Sequence, residues 1–175
     1  MRVDERRIYL LRHAKSSWKE PGLADHDRPL AGRGRRAART IRRHLKEQRI
    51  EPELVLCSTA TRARQTLERI EPALGRGGVR VEAELYGAGS AALLARLRHV
   101  PTRVRSVMVI GHNPGLQDLA LLLARDGSAE LEEKFPTAAL ATLAFRGPWA
   151  DLDRGTAELI AFVRPRDLDR GSDEA

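Results

Sequence analysis

Short apolar runs alternate with segments of helical periodicity along most of this chain, and that alternation limits the folds it can adopt. Runs typical of buried strands occupy residues 8–11, 53–57, 79–81, 106–110, 138–145 and 158–164. Apolar residues recur at helical spacing at 34–48, 63–74, 91–97 and 116–124. Strands that alternate with helices form parallel sheets. The pattern therefore predicts a single three-layer α/β domain, with a mostly parallel central sheet flanked by helices.

The last third of the chain departs from this alternation. No helical segment separates the runs at 138–145 and 158–164, so we expect these strands to pair antiparallel at the sheet edge. A hydroxyl residue directly after the second strand, at 58 or 59, is predicted to cap the helix that follows. We assign residues 1–164 to one domain and residues 165–175 to a polar, mobile C-terminal tail.

Cysteine content and the length of the apolar runs bear on where the protein works. The chain has one cysteine, Cys57, so an internal disulfide is impossible and a reducing compartment is expected. The first residues are charged and lack the apolar stretch of a signal peptide. No run approaches the roughly 18 apolar residues of a membrane span. We therefore expect a cytoplasmic protein without a membrane partner.

Positive charge is concentrated in one part of the sequence. The chain has a net charge of +7, and the segment from Arg28 to Arg49 contains nine basic residues and one acid, Glu47. That segment carries +8, so the remainder of the chain sums to −1. Such a segment can bind an acidic partner or nucleic acid, although a solvated face of an arginine-rich helix has the same composition. No aromatic residue lies among the arginines to stack on bases, so nucleic acid is not the expected partner.

Polar side chains follow three of the predicted strands at the points where those strands end. Arg12 and His13 end the first strand, Arg62 lies just beyond the second, and His112 follows the strand at 106–110. Because the carboxyl ends of parallel strands meet at one edge of a sheet, these side chains are expected in one crevice. An edge strand that ends in two solvated polar residues is the alternative for Arg12 and His13.

These four residues suit the transfer of a phosphoryl group. Two arginines can hold phosphate oxygens through charge-assisted hydrogen bonds. A neutral imidazole can attack phosphorus, and a second imidazole, if protonated, adds a donor. The protein's own cations can balance the phosphate charge, so we expect no metal and no other cofactor. Metal ligation by His13 and His112 is the alternative, and it is disfavoured because two neighbouring arginines repel a divalent cation.

Three motifs resemble those of the histidine phosphatase superfamily: Leu-Arg-His-Ala at 11–14, Ser-Thr-Ala-Thr-Arg-Ala-Arg-Gln-Thr at 58–66 and Gly-His-Asn-Pro at 111–114. The Arg-His-Ala-Lys-Ser-Ser-Trp opening and Phe-Pro-Thr-Ala at 135–138 are similar to features of its bacterial phosphohistidine phosphatase SixA group. The resemblance covers about residues 8–164 and implies a phosphoglycerate-mutase-like fold without a large cap insertion. It also implies that His13 is the nucleophile, that Arg12 and Arg62 bind phosphate, and that His112 is the second pocket histidine.

The sequence differs from the usual superfamily pattern in two respects. Ala14 stands where glycine usually follows the nucleophile, and the small methyl group should have only a modest effect. The carboxylate that many members use as a general acid has no clear counterpart, and SixA-like members lack it. The candidates are Glu84, with Glu82 close by, and Asp25 and Asp27 in the first loop. A solvated surface carboxylate is the alternative for each of them.

The sequence therefore predicts a metal-independent phosphatase that works through a phosphohistidine intermediate, with phosphohistidine in proteins as the favoured substrate. Phosphohistidine has a good leaving group and needs less help from an acid. A phosphatase of small phosphate esters, or a phosphomutase, would use the same chemistry and is the alternative. A non-catalytic module that binds phosphate or nucleic acid is the alternative from another class. The oligomeric state is left open.

Overall fold

A computed structural model describes residues 4–170 of the chain. Its six strands are β1 (Glu5–Arg12), β2 (Leu54–Ser58), β3 (Gly78–Glu82), β4 (Ser106–Gly111), β5 (Leu140–Arg146) and β6 (Glu158–Val163). They lie side by side in the order β3-β2-β4-β1-β5-β6. The first four strands run parallel, whereas β5 is antiparallel to both β1 and β6. The expected mostly parallel sheet with an antiparallel pair at one edge is confirmed.

Six α-helices accompany the sheet in this part of the chain. They are α1 (Gly32–Glu47), α2 (Thr61–Ile70), α3 (Ser90–Arg98), α4 (Gly115–Leu123), α5 (Ala129–Glu133) and α6 (Pro165–Arg170). Short 3-10 helices occur at Asp25–Asp27, Glu71–Ala73, Ala83–Leu85 and Trp149–Asp151. The sequence pattern did not predict α5 and α6, because helices of five and six residues are too short to show periodicity. Within residues 4–170, no helix is long and apolar enough to cross a membrane.

Side chains alternate between the two faces of the sheet, and each face has its own apolar core. Ile8 and Leu10 of β1 lie in the core under α3 and α4, whereas Leu11 lies in the core under α1 and α2. The central strand β4 divides in the same way, with Val107 on one side and Met108 on the other. Helices that connect parallel strands pack on both faces, so the predicted three-layer arrangement is confirmed.

Helix α1 begins two residues earlier than its apolar spacing predicts. The spacing indicated a start at Gly34, but this glycine lies in the first turn. A Cβ atom on Gly34 would lie 2.1 Å from the carbonyl oxygen of Lys15, which is far inside van der Waals contact. Glycine therefore permits the close approach that holds α1 against the loop after His13.

The strand expected from residue 138 begins later, at Leu140. Ala138 has a positive φ of 61°, so the backbone turns there instead of extending. The amide of Ala138 donates to the carbonyl oxygens of Arg12 and His13, at 3.0 and 3.1 Å. This turn fixes the segment before β5 against the end of β1, a long-range contact that local propensity does not predict.

The polar tail expected from residue 165 begins as a helix. Leu168 of α6 packs against the core beneath α1, and Asp169 accepts a hydrogen bond from Oγ1 of Thr40 at 3.2 Å. The first six residues of the expected tail are therefore part of the folded domain. Residues 171–175, where the prediction also applies, lie outside the described residues.

Candidate active site

The carboxyl ends of β1, β4 and β2 bring the four predicted site residues into one crevice. Arg12 ends β1 opposite Gly111 of β4, and the amide of His13 donates to the carbonyl oxygen of Gly111 at 3.0 Å. His112 follows Gly111 directly, and Arg62 lies in the first turn of α2, just after β2. Parallel pairing of neighbouring strands collects these side chains at one edge, as their positions in the sequence predict.

His13 is buried, and its two ring nitrogens have different surroundings. Nδ1 lies 2.7 Å from the carbonyl oxygen of Ala14, which can only accept a hydrogen bond, so Nδ1 carries the proton. Nε2 accepts a hydrogen bond from Nε of Arg62 at 3.3 Å. Burial, aided by nearby positive charge, lowers the pKa of His13 to about 3. The ring is therefore neutral near pH 7, with an unprotonated Nε2 beside Arg62.

The His112 ring lies 5.1 Å from the His13 ring, measured between centroids. Its Nε2 lies 2.7 Å from Oγ of Ser58, the last residue of β2. Burial, followed by the charge of Arg62, lowers the pKa of His112 to about 4. The Nδ1 atom is buried and has no hydrogen-bond partner within residues 4–170. The second histidine is thus also neutral near pH 7, with one ring nitrogen unpaired.

Ser58 contributes to this site and does not cap the following helix. The N-cap of α2 is Ala60, which makes no side-chain cap hydrogen bond, so the predicted hydroxyl cap is wrong. Oγ of Ser58 instead accepts from the amide of Ala60 at 3.2 Å and faces His112. Sequence reasoning missed Ser58 as a site residue. Its position at the end of β2, level with Arg12 on β1, is the signal that could have identified it.

Arg62 is buried, and each nitrogen of its guanidinium group has a hydrogen-bond acceptor. Besides the bond to His13, Nη1 donates to the carbonyl oxygen of Asp25 at 2.7 Å, and Nη2 donates to Oδ2 of Asp25 at 3.0 Å. Oδ1 of Asp25 accepts from Arg28 at 2.8 Å, and Oδ2 also accepts from the hydroxyl of Tyr86 at 2.6 Å. These donors, with Tyr86 foremost, hold the pKa of Asp25 well below its usual range. The Asp25 carboxylate is therefore ionised and fixes Arg62.

Arg12 is half-buried and carries the second guanidinium group of the crevice. Its Nη1 donates to the carbonyl oxygen of Phe135 at 3.0 Å, and its Nε is buried without a partner within residues 4–170. Burial, followed by the charge of Arg62, lowers the pKa of Arg12. Because the two cations repel each other, an anion bound between them would be stabilised.

Tyr86 is a second site residue that sequence reasoning missed. Its ring meets His112 edge-on at 5.5 Å and His26 edge-on at 4.8 Å, between centroids. Nε2 of His26 in turn lies 2.8 Å from Oγ1 of Thr59. These contacts join the first loop, the start of α2 and the segment after β3 along one side of the crevice. No motif identifies Tyr86 as a site residue. The signal that could have identified it is its position shortly after a strand that ends at the same sheet edge.

The carboxylates considered as general acids have different surroundings. Asp25 contacts Arg62 and is ionised, so it lacks a proton to donate. Asp27 and Glu84 are exposed. Glu82 forms an ion pair of 2.8 Å with an arginine of α3. The structure thus brings Asp25 to the predicted site residues, in an environment that favours a positioning role.

The assembled crevice combines an unprotonated imidazole nitrogen, two guanidinium groups and a second neutral imidazole. Such a set can bind a tetrahedral oxyanion and place a nucleophilic nitrogen against its central atom. Within residues 4–170, no group of three or more histidine, cysteine or acidic side chains could hold a metal ion. The fold and the crevice together define an α/β protein with a cationic crevice built around a histidine.

Comparison with known proteins agrees with this description. The family model of the histidine phosphatase superfamily (branch 1) matches residues 8–86. An uncharacterised protein of Mycobacterium tuberculosis is 40% identical over 165 residues, which cover 89% of this chain and 100% of that one. Phosphohistidine phosphatase SixA of Escherichia coli is 31% identical over 139 residues, which cover 78% of this chain and 83% of that one. Among solved structures, the protein histidine phosphatase SixA complexed with tungstate is 27% identical, with a TM-score of 0.77, covering 93% of this chain and 99% of that chain.

The chain belongs to the histidine phosphatase superfamily. The family implied by the sequence motifs is therefore confirmed, and so is the phosphoglycerate-mutase-like fold. Its similarity to SixA phosphohistidine phosphatases in sequence and in fold supports phosphatase activity.

Proposed function

We propose that this protein is a phosphatase in which Nε2 of His13 attacks phosphorus and forms a phosphohistidine intermediate. The observation that carries the proposal is the pair of contacts at the His13 ring. Nδ1 donates to the carbonyl oxygen of Ala14, and Nε2 accepts from Arg62, so a lone pair lies on the nitrogen beside Arg62. A phosphoryl group bound by Arg62 would lie next to that lone pair, in position for attack.

Arg12, Arg62 and His112 suit the binding of the phosphoryl oxygens. The two arginines supply charge-assisted donors. Oγ of Ser58 accepts from the amide of Ala60, and in the proposed arrangement its own hydrogen donates to Nε2 of His112. The neutral His112 ring then carries its proton on Nδ1 and donates from there. The second imidazole was expected to donate if protonated, whereas the lowered pKa of His112 favours the neutral ring as the proposed donor.

The proposed reaction consists of two displacements at phosphorus. In the first, a bond forms from Nε2 of His13 to phosphorus, the bond from phosphorus to the leaving group breaks, and the leaving group takes up a proton from solvent. In the second, water attacks phosphorus and the bond to Nε2 breaks. Inorganic phosphate is released, and the proton lost by the water goes to solvent. Arg12 and Arg62 bind the phosphoryl oxygens in both steps and stabilise the charge that develops on them.

We infer that the substrate is phosphohistidine in proteins. Asp25 is ionised and hydrogen-bonded to its neighbours, so it is poorly suited to protonate an alkoxide leaving group. An imidazole leaves more readily and has less need of an acid. The inference is supported by the E. coli relative, which is named a phosphohistidine phosphatase, and by the SixA structure, which is complexed with tungstate, a tetrahedral oxyanion like phosphate.

The test compares three substrates in the presence of EDTA: a phosphohistidine protein, p-nitrophenyl phosphate and glycerol phosphate. We expect turnover of the first two and very slow turnover of the third. His13→Ala should lower turnover by on the order of 10⁴-fold or more and abolish the acid-labile, base-stable phosphoryl group trapped by quenching. His99→Ala, at an exposed position outside the crevice, is the matched control and should keep wild-type turnover.

Each part of the proposal has its own contradicting result. Wild-type turnover in His13→Ala would refute the nucleophile. Rapid hydrolysis of glycerol phosphate would refute the substrate inference and favour a phosphatase of small phosphate esters. Loss of wild-type activity in EDTA would refute metal independence.

We also propose that the protein works in a reducing compartment, the cytoplasm. Cys57 is buried in β2, and burial raises the pKa of its thiol to about 12, so the thiol is unreactive. The sequence has no second cysteine to pair with it. Fractionation of the native host should recover the protein with cytoplasmic markers, and recovery with secreted proteins would contradict this location.

A further inference from the structure

A cleft of about 590 Å³ lies between α1, α6 and the segment that joins α5 to β5. We name it the basic cleft, because its lining includes Lys15, Arg33, Arg36, Lys134, Arg164 and Arg166. Three carboxylates, Glu130, Glu133 and Asp169, also line it. Cations therefore outnumber carboxylates by two to one.

Two of the three carboxylates already have cationic partners. Glu130 lies 3.8 Å from Arg164. Asp169 lies 3.9 Å from Arg43 and accepts a hydrogen bond from Oγ1 of Thr40 at 3.2 Å. The pair of Glu130 with Arg164 neutralises one acid and one cation of the lining, whereas Asp169 is paired with a cation outside the lining.

Four of the cations, in contrast, have no such partner. Within residues 4–170, the side chains of Lys15, Arg33, Arg36 and Lys134 are exposed and form neither an ion pair nor a hydrogen bond. Arg33 and Arg36 are three residues apart on one helix, where like charges repel each other. Arg33 also lies in the first turn of α1, where a cation opposes the helix dipole and no acidic residue offsets it. An anionic ligand would relieve both unfavourable interactions.

The basic cleft lies along the same sheet edge as the crevice. Leu11, Leu140 and Val163 are in register across β1, β5 and β6, and β6 runs parallel to β1. Neighbouring strands are about 4.8 Å apart, so the carboxyl end of β6 lies roughly 10 Å from that of β1. Arg164 follows β6 directly, which places the cleft wall about this far from the crevice.

The cleft and the crevice also share backbone. Lys15 is two residues beyond His13 in the loop after β1. The carbonyl oxygen of Phe135 accepts from Arg12, and the next two residues, Pro136 and Thr137, line the cleft. A ligand chain that crosses this segment can therefore contact both sites.

We propose that the basic cleft binds acidic side chains of a protein substrate, in the segment that flanks its phosphorylated residue. The inference rests on the proposed phosphatase function and names the feature by which that function selects its protein substrate. A distance of roughly 10 Å corresponds to about three residues of extended chain. Carboxylates three or four positions from the phosphorylated residue would therefore reach the cleft.

The remaining lining favours carboxylate side chains over nucleic acid. Ala37, Pro136 and Pro165 give the cleft apolar surface, against which the methylene groups of a glutamate can pack. Among the described residues that line the cleft there is no aromatic side chain, so it offers no surface for stacking bases.

Two matched peptides test the proposal by binding, measured as fluorescence anisotropy. Both carry a non-hydrolysable phosphohistidine analogue. One has glutamates three and four positions away on each side, and the other has glutamines at the same positions. We expect the wild-type protein to bind the acidic peptide about tenfold more tightly at low salt, because several exposed ion pairs add small contributions. The preference should shrink near 0.5 M salt, where exposed charges are screened within about 4 Å.

Two double variants show whether the preference comes from the cleft. Arg33→Ala with Arg36→Ala should lose most of the preference for the acidic peptide, although Lys15 and Lys134 remain in the lining. Arg39→Ala with Arg42→Ala removes the same charge from exposed positions of α1 outside the cleft and should keep the preference. Circular dichroism and thermal unfolding check that both variants fold. Equal binding of the two peptides by the wild type, or equal loss of preference in both double variants, would overturn the proposal.

The peptide assay and the phosphatase assay test different proposals, so a negative result in one does not decide the other. If the wild type hydrolyses p-nitrophenyl phosphate but binds the two peptides equally, the phosphatase function stands and the basic cleft is not the recognition site. If the wild type hydrolyses neither p-nitrophenyl phosphate nor a phosphohistidine protein, the proposed function is refuted, whatever the peptide preference.

Discussion

The carboxyl edge of the sheet has two cationic regions, and Arg62 in one is held in the opposite way from Arg33 and Arg36 in the other. In the crevice between β1, β4 and β2, Arg62 is 7% exposed, and each of its guanidinium nitrogens has an acceptor. In the basic cleft toward β6, Arg33 and Arg36 are exposed and have no ion-pair partner within residues 4–170. A buried and fully bonded cation is fixed in one geometry, whereas an exposed one can adapt to different ligands.

The same charge has different consequences in these two environments. In the crevice, where Arg62 and both histidines are buried, the positive charge of Arg62 contributes to the lowered pKa of His13 and of His112. In the basic cleft, water and salt screen the charges, so their influence is short-ranged. The crevice is therefore suited to catalysis and the cleft to recognition, and the following experiments probe this contrast.

Among the arginine variants, the largest effect is expected from the buried arginine. We propose that Arg62 donates to the transferring oxygens, so Arg62→Ala should lower p-nitrophenyl phosphate turnover by on the order of 10²–10³-fold, with the fold intact by circular dichroism. Arg64, two residues on, is exposed and donates to the carbonyl oxygen of Thr59, so Arg64→Ala should lose far less. Equal losses of turnover in the two variants would show that the burial of Arg62 does not give it a larger contribution to turnover than Arg64.

The buried histidines should make stability depend on pH. Burial lowers the pKa of His13 to about 3 and of His112 to about 4, from an ordinary value of 6.5. The unfolded chain then binds protons that the folded chain excludes. Stability is therefore fully present above pH 6.5 and is lost as the pH falls toward 4. We expect a loss of roughly 2 kcal/mol per histidine between about pH 7 and about pH 5, measured by urea unfolding.

The matching control separates these rings from other histidines. A double variant with His13→Gln and His112→Gln should have a flatter pH profile of the free energy of unfolding. His99→Gln, at an exposed position, should keep the wild-type profile. An unchanged profile in the double variant would contradict the assignment of the pH dependence to the crevice.

A smaller effect is expected from the residue that positions Arg62. Asp25→Ala removes the acceptor of Arg62 and Tyr86 and should lower turnover about three- to tenfold, well short of the effect of a general acid. The loss should be the same for aryl and alkyl phosphates, because positioning does not depend on the leaving group. Asp27→Ala and Glu84→Ala, both at exposed positions, should change aryl phosphate turnover by less than about twofold. A large loss confined to alkyl phosphates in any of the three would identify a general acid.

The smallest effect is expected for nucleic acid. The exposed arginines of α1 carry charge without an aromatic stacking surface, so duplex DNA should bind weakly and be released near physiological salt. A gel-shift series at increasing salt measures this. Tight, salt-resistant binding would contradict the contrast between the fixed arginine of the crevice and the adaptable arginines of α1. Such binding requires organised contacts, and exposed, unpaired arginines do not make them.

Residues that follow strands were the part of the site that the sequence could predict. The strand at 106–110 was visible from its apolar run, and His112 is placed by the strand that precedes it. Ser58 was visible too but was assigned to a cap, because the hydroxyl that suits an N-cap is equally able to bond a histidine. Tyr86 and the pairing of Asp25 with Arg62 were not predictable, because they join segments far apart in the chain whose spacing in the sequence carries no signal.

The sequence by itself determined the three-layer α/β fold and the four residues of the crevice, because periodicity and strand ends are local properties and parallel pairing brings the strand ends together. The superfamily was implied by the resemblance of three motifs, and the similarity to known members confirmed it. The tertiary structure alone decided the tautomer of His13, the ionised state of Asp25 and the basic cleft. The first two depend on burial and on which donor or acceptor lies within about 3 Å, and no residue type specifies that. The cleft depends on α1, α5 and α6 meeting beside β1, and that contact arises only when the chain packs.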